Sequence, residues 1–128
     1  MRTVNAAIRS GMKREAPRIH FRLRLSRGDD IAIGPGKIEL LEAIARTGSI
    51  TAAAKTLGMS YRRAWLLVDM MNRCFASPVV DAETGGPRGG GTRLTSLGED
   101  VMRCYRRIEA TAESANAADL AALIRLLR

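Results

Sequence analysis

The chain has 128 residues, 46% of them apolar and 4% aromatic, with a formal net charge of +8. That is the size of one domain able to bury a core without staples, and its apolar content excludes disorder throughout. Two cysteines, Cys74 and Cys104, and the lone His20 supply too few ligands for a structural zinc site, and no apolar run approaches the ~20 residues of a membrane span.

The charge is unevenly placed. Residues 1–27 hold Arg2, Arg9, Lys13, Arg14, Arg18, Arg22, Arg24 and Arg27 against the single acid Glu15. Residues 46–93 form a second basic stretch. Two basic regions with a nearly neutral remainder fit a polyanionic partner; a basic tail on an unrelated domain would give the same total.

In chain order, residues 1–17 lack periodicity and end at Pro17, so they read as a flexible basic arm. Residues 18–25 alternate, with Ile19, Phe21, Leu23 and Leu25 on one face and His20, Arg22 and Arg24 on the other, which predicts a half-buried strand. Ser26–Asp30 reads as a turn and Ile31-Ala32-Ile33 as the return strand. His20 then lies on a solvent face, and Asp29-Asp30 is a solvated turn rather than a metal site.

After Gly34-Pro35-Gly36, Ile38, Leu40, Leu41, Glu42, Ile44 and Ala45 recur at helical spacing, and Gly48 ends that helix. Ser49 caps a second helix over residues 50–57, Gly58-Met59 turns, and Ser60 caps a third from Tyr61 to about Phe75. Ala53 and Ala54 are small where two helices must cross closely. Gly58 permits the left-handed backbone of a sharp turn, and Met59 tucks between the helices. Small alanines, a turn glycine and a serine cap make a helix-turn-helix.

On the third helix Ala64, Val68, Met71 and Phe75 face inward. Arg62, Arg63 and Leu66 face outward near its N-terminus, with Tyr61 and Trp65 at the margin. The N-terminal part of a recognition helix reaches base edges in the major groove, where arginine grips guanine and an apolar side chain meets the thymine methyl. Ser49, Thr51 and Ser60, at the helix starts, are candidate phosphate contacts.

Pro78-Val79-Val80 opens a short strand, and Thr92–Thr95 returns as another. Between them, the glycine-rich stretch 84–91 fits neither a P-loop nor a dinucleotide fingerprint. A loop between short strands directly after a recognition helix is a wing. Arg88 and Arg93 would touch phosphates or the minor groove there, though a plain hairpin fits Arg88 as well. Thr95 or Ser96 caps a long helix from Leu97 to about Ala115. Leu120, Leu123, Ile124 and Leu127 then line one face of a last helix. That face either closes the domain's own core or pairs with a second copy.

The fold class expected is mainly α with small β hairpins, a winged helix-turn-helix plus C-terminal helices. The expected organisation is a flexible basic arm over 1–17, a winged helix-turn-helix DNA-binding domain over 18–115 and a C-terminal helix over 116–128, for which dimerisation and closure of the domain's own core are the two alternatives. No constellation nominates a catalytic triad, a metal site or a cofactor site. Cys74 and Cys104 read as small core residues and free thiols.

From Gly36 to about Ile108 the chain resembles the N-terminal DNA-binding domain of the ModE family of molybdate-responsive transcriptional regulators. The residues that carry the resemblance are Gly48-Ser49-Ile50, Ala53-Ala54, Gly58-Met59-Ser60-Tyr61-Arg62 with Ala64-Trp65, the Thr84–Gly91 glycine loop, and Leu94-Thr95 with Gly98. The run from Ser49 to Ser60 is also similar to the LysR-type helix-turn-helix. The resemblance implies a homodimer on palindromic double-stranded DNA, regulating molybdate-related genes, with Tyr61, Arg62 and the wing among its contacts; the expected cytoplasmic location rests instead on the free thiols. Family members carry C-terminal molybdate-binding domains. No Ser-Ala-Arg-Asn type oxyanion motif occurs up to Arg128, so no molybdate ligand is assigned and a separate molybdate-sensing partner is among the expectations. The alternative is an accessory or nucleoid-type DNA-binding protein with little sequence preference.

Overall fold

A computed structural model describes residues 15–82 and 91–128. The fold is a winged helix-turn-helix. Residues Arg22–Ala115 form one compact unit. Its elements in order are β1 (Leu25–Arg27), β2 (Asp30–Ile33), α1 (Pro35–Thr47), α2 (Ile50–Leu57), α3 (Tyr61–Cys74), β3 (Val80–Ala82), β4 (Thr92–Leu94) and α4 (Ser96–Ala115). A second unit contains α5 (Ala117–Arg125) within Asn116–Arg128, together with the described residues 15–21.

β1 and β2 pair antiparallel, with Arg27 opposite Asp30, across a tight turn in which Gly28 takes φ +61°. This corrects the expectation of a strand over 18–25. The regular strand covers only Leu25–Arg27, and Leu25 and Ile19 are exposed. The cause is the partner: β2 has four residues before Gly34 and Pro35 turn the chain into α1, so the alternating segment upstream has no strand to pair with. Leu23 still packs against the core, and its carbonyl accepts a 2.8 Å hydrogen bond from the Tyr105 hydroxyl of α4.

Pro35 at the first position starts α1, where its missing N–H costs nothing. Ile38, Leu40, Leu41, Ala43 and Ile44 are all buried, so α1 is the central element of the core. Ala45, expected inside, is exposed; Ala43 takes the buried position instead. Gly48 ends the helix at φ +70°, a conformation that costs a residue with a Cβ about 1–2 kcal/mol. The core continues through Ile50, Ala53, Ala54, Ala64, Val68, Met71, Val79, Val80, Leu94 and Tyr105.

Thr95 caps α4: its hydroxyl oxygen accepts from the Gly98 amide at 3.0 Å and donates to the Pro78 carbonyl at 2.7 Å. Gly98 lies against the wing root so closely that a Cβ there would overlap the Val79 carbonyl oxygen. α4 is tied to α1 by Arg106, whose guanidinium donates to both carboxylate oxygens of Glu42 at 2.6 and 2.7 Å and to Glu109 at 2.6 Å. The bond from Arg106 holds the Glu42 carboxyl below its ordinary value, and the two carboxylates push the Arg106 guanidinium up. Cys104, expected in the core, is exposed on α4, and Cys74 is half-buried; both are free thiols. Positions 101 and 105 already supply the inward stripe of that turn, which turns 104 outward.

Candidate nucleic-acid interface

The helix-turn-helix is α2, the turn through Gly58, and α3. Ser49 caps α2, accepting from the Ala52 amide at 3.0 Å, and Ser60 caps α3, accepting from the Arg63 amide at 3.1 Å. Gly58 takes φ +70°, and its amide and that of Met59 close the C-terminus of α2 on the Lys55 and Ala54 carbonyls. Ala53, Ala54 and Ala64 are buried, and their small side chains let the two helices approach closely. Met59 is half-buried against the same cluster.

That packing decides which way α3 faces. Ala64, Val68 and Met71 point into the core, with Leu67 and Phe75 partly buried beside them. Arg62 and Leu66 (50% exposed) face the opposite way, with exposed Arg63 to one side and Tyr61 (53%) and Trp65 (46%) at the margin of the buried face. Neither arginine forms an ion pair among the described residues. Arg73, further along, pairs with Asp69 at 3.1 Å, so the basic character concentrates in the first turns of the helix.

Thr51 lies exposed in the first turn of α2. Ser49 and Ser60 spend one hydroxyl lone pair each on capping; the hydroxyl protons remain available to an anion. Arg93 is exposed on β4. Arg88 lies outside the described residues. The structure thus brings Tyr61, Arg62, Arg63, Trp65 and Leu66 onto one surface, with Ser60 at its edge.

The wing is fixed to this surface by Asn72, a residue that periodicity and motif spacing do not single out. Asn72 of α3 accepts from the amides of Val79 (2.8 Å) and Val80 (3.2 Å) through Oδ1 and donates to the Val80 carbonyl (3.3 Å) through Nδ2. Thr92 of β4 donates its amide to the Gly48 carbonyl at 3.0 Å, joining the wing to the turn between α1 and α2. An asparagine near the end of an amphipathic helix gives no periodic signal; only its place before Pro78-Val79 hints at the role.

A family model for bacterial regulatory helix-turn-helix proteins of the lysR family matches residues 36–99, which is half of the chain. The chain belongs to that family. The matched region runs from α1 through the wing into the first turn of α4, the elements that build the exposed surface of α3 and its wing. Among individual relatives, the chain is 50% identical over 78 residues to the molybdenum-pterin-binding protein MopB of Rhodobacter capsulatus, covering 61% of this chain and 29% of that protein. It is 42% identical over 97 residues to the molybdenum transport protein ModE of Azotobacter vinelandii, covering 74% and 36%. It is 40% identical over 83 residues to the transcriptional regulator ModE of Haemophilus influenzae, covering 65% and 32%. The chain therefore spans about a third of the length of these relatives. The fold is shared with the DNA-binding domain in the crystal structure of a CbnR–DNA complex, at a TM-score of 0.52 and 23% identity, over 69% of this chain and 95% of that one. The matched proteins are named as transcriptional regulators and as molybdenum-pterin-binding or molybdenum transport proteins.

Proposed function

We propose that this chain reads double-stranded DNA in a sequence-specific way as the DNA-binding part of a transcriptional regulator of molybdate-related genes. The observation that carries the proposal is the exposed face of α3. Folding leaves Tyr61, Trp65 and Leu66 about half in water beside two arginines, on a helix otherwise rigidly capped and packed. An apolar and cationic surface of this kind on a helix start matches what the major groove presents. In this reading Arg62 and Arg63 bond base edges, Tyr61, Trp65 and Leu66 contact bases or sugars, and Ser49, Thr51, Ser60, Arg88 and Arg93 hold phosphates. The molybdate assignment rests on the ModE and MopB relatives.

The working unit is a cytoplasmic homodimer, joined through residues 116–128, with two recognition helices ~34 Å apart on a palindromic site. Leu123, Leu126 and Leu127 are 62–79% exposed, an apolar strip that a second copy would cover. Molybdate sensing is assigned to a partner or to protein beyond these residues.

The test is selection of bound duplexes from a fragmented genomic pool at moderate salt, with and without molybdate. The expected result is a palindromic site upstream of molybdate-uptake genes. Tight, salt-sensitive binding with no common sequence would overturn the regulator reading in favour of an accessory DNA-binding protein.

A further inference from the structure

Arg22, Arg24 and Arg27 precede the matched family region and are carried by neither α3 nor the wing. All three belong to the compact unit. Arg22 and Arg24 are exposed at alternate positions around Leu23, which packs inward, so both cations project from the outer side of one extended segment. The segment is held in place: the Tyr105 hydroxyl donates to the Leu23 carbonyl, and the Arg24 stem lies over Gly34, where a Cβ would meet Arg24 Cγ at 3.3 Å. Arg27 is exposed at the end of β1, where it stands opposite Asp30 at the hairpin tip, and Asp29 and Asp30 are the hairpin's only carboxylates.

The hairpin's position gives these charges a direction. β2 packs against the recognition helix α3. Lys37, in the first turn of α1, is buried along its stem and lies within electrostatic range of both Arg24 and Arg63. Burial is the main cause that pushes its ammonium down; among the neighbours Cys74 pulls it up, Arg63 down, Asp30 up and Arg24 down, in falling order. Lys37 thus lies near Arg63, on the first turn of α3, and more weakly near Arg24, with Asp30 also in range. The wing is bonded to Gly48 at one end of α1, while the hairpin leads through Gly34 into the other. A helix of 13 residues is about 20 Å long. The wing root and the hairpin therefore join α1 at points about 20 Å apart.

We propose that Arg22, Arg24 and Arg27 form a second phosphate-binding flank, holding the DNA backbone on the side of the recognition helix opposite the wing. The proposal rests on the DNA-binding function proposed for α3 and adds affinity without sequence choice, because phosphates carry no base identity.

The test measures binding of the full chain to a labelled 30-base-pair duplex of random sequence across a potassium chloride series. Each arginine–phosphate pairing removed should flatten the slope of log K against log salt by about 0.9. The triple variant R22Q/R24Q/R27Q should therefore lose about 2–3 from the slope. Selection from a randomised pool should return the same site as wild type. A control, R103Q/R107Q, removes two exposed charges from α4, which packs on α1 and β4, and should change the slope by less than half as much. Should the triple variant unfold, R22Q/R27Q leaves the Arg24 packing intact and should lose about 2 from the slope. An unchanged slope, or an equal change in the α4 control, overturns the proposal. A wild-type chain that binds no duplex at any salt would instead defeat the DNA-binding function itself.

Discussion

Removing the Asn72 side chain should loosen the wing without disturbing the recognition face. The amide makes three hydrogen bonds, two accepted by Oδ1 and one donated by Nδ2, to a half-buried stretch of backbone at Val79 and Val80. A typical net contribution is about 0.5–1.5 kcal/mol per bond, and more where a desolvated backbone group is left unpaired. Val79 and Val80 are buried, so water replaces the missing partner poorly. Asn72→Ala should therefore lower unfolding stability by about 2–4 kcal/mol. Asn72→Asp keeps both accepted bonds but sets a carboxylate oxygen against the Val80 carbonyl where Nδ2 donated, so it too should be destabilising. Urea denaturation reads both variants, with the midpoint falling and the m-value unchanged. Hydrogen exchange adds a local readout, since the Val79 and Val80 amides should lose protection before the amides of α1 do. An alanine variant within about 0.5 kcal/mol of wild type would refute the reasoning, because that is the range of an ordinary surface substitution.

Two further outcomes follow from the packing around α4. Gly98→Ala drives a Cβ into the Val79 carbonyl, with backbone on both sides and no flexible side chain to yield, so it should cost about 2 kcal/mol or more and displace the wing root. The Glu42–Arg106 pair should show itself in pH dependence. The Glu42 carboxyl is held below its usual 4.5 in the folded state, so its contribution is fully present above that pH and is lost as pH falls through the depressed folded value. Glu42→Gln should thus reduce stability near neutrality, and the gap to wild type should narrow as pH falls below 4.5 and close once it has passed the depressed folded value. With the Arg106 side chain 42% exposed, solvent screening limits the effect to about 1 kcal/mol. A gap that persists undiminished in acid would assign it to packing rather than charge.

Much of this architecture was legible in the residues because the signals are local. Glycine at 48 and 58 and serine at 49 and 60 dictate helix ends through backbone conformation and capping bonds, and the structure places each where the sequence implied. The inward stripe of α3 followed from helical periodicity, and with it the outward set at 61–66. What the sequence hid depends on partners distant in the chain. The strand expected over 18–25 shortened because pairing needs a neighbour of equal length, and β2 ends at Ile33. Helical spacing put Ala45 inside and residue type put Cys104 inside, yet the neighbouring elements cover other sectors of their helices. Asn72, Lys37 and the Glu42–Arg106 pair were invisible because polar residues carry meaning only through the groups they meet.

The most direct measurement compares wild type with Arg62→Ala and Arg63→Ala in selection of duplexes from a randomised pool, with circular dichroism to confirm the fold. Both arginines are exposed and outside the core, so the variants should fold as wild type does. The account predicts loss or relaxation of the selected sequence, with about 1–3 kcal/mol of discrimination removed per arginine. Unchanged selection by both folded variants would contradict the assignment of this face of α3 to DNA.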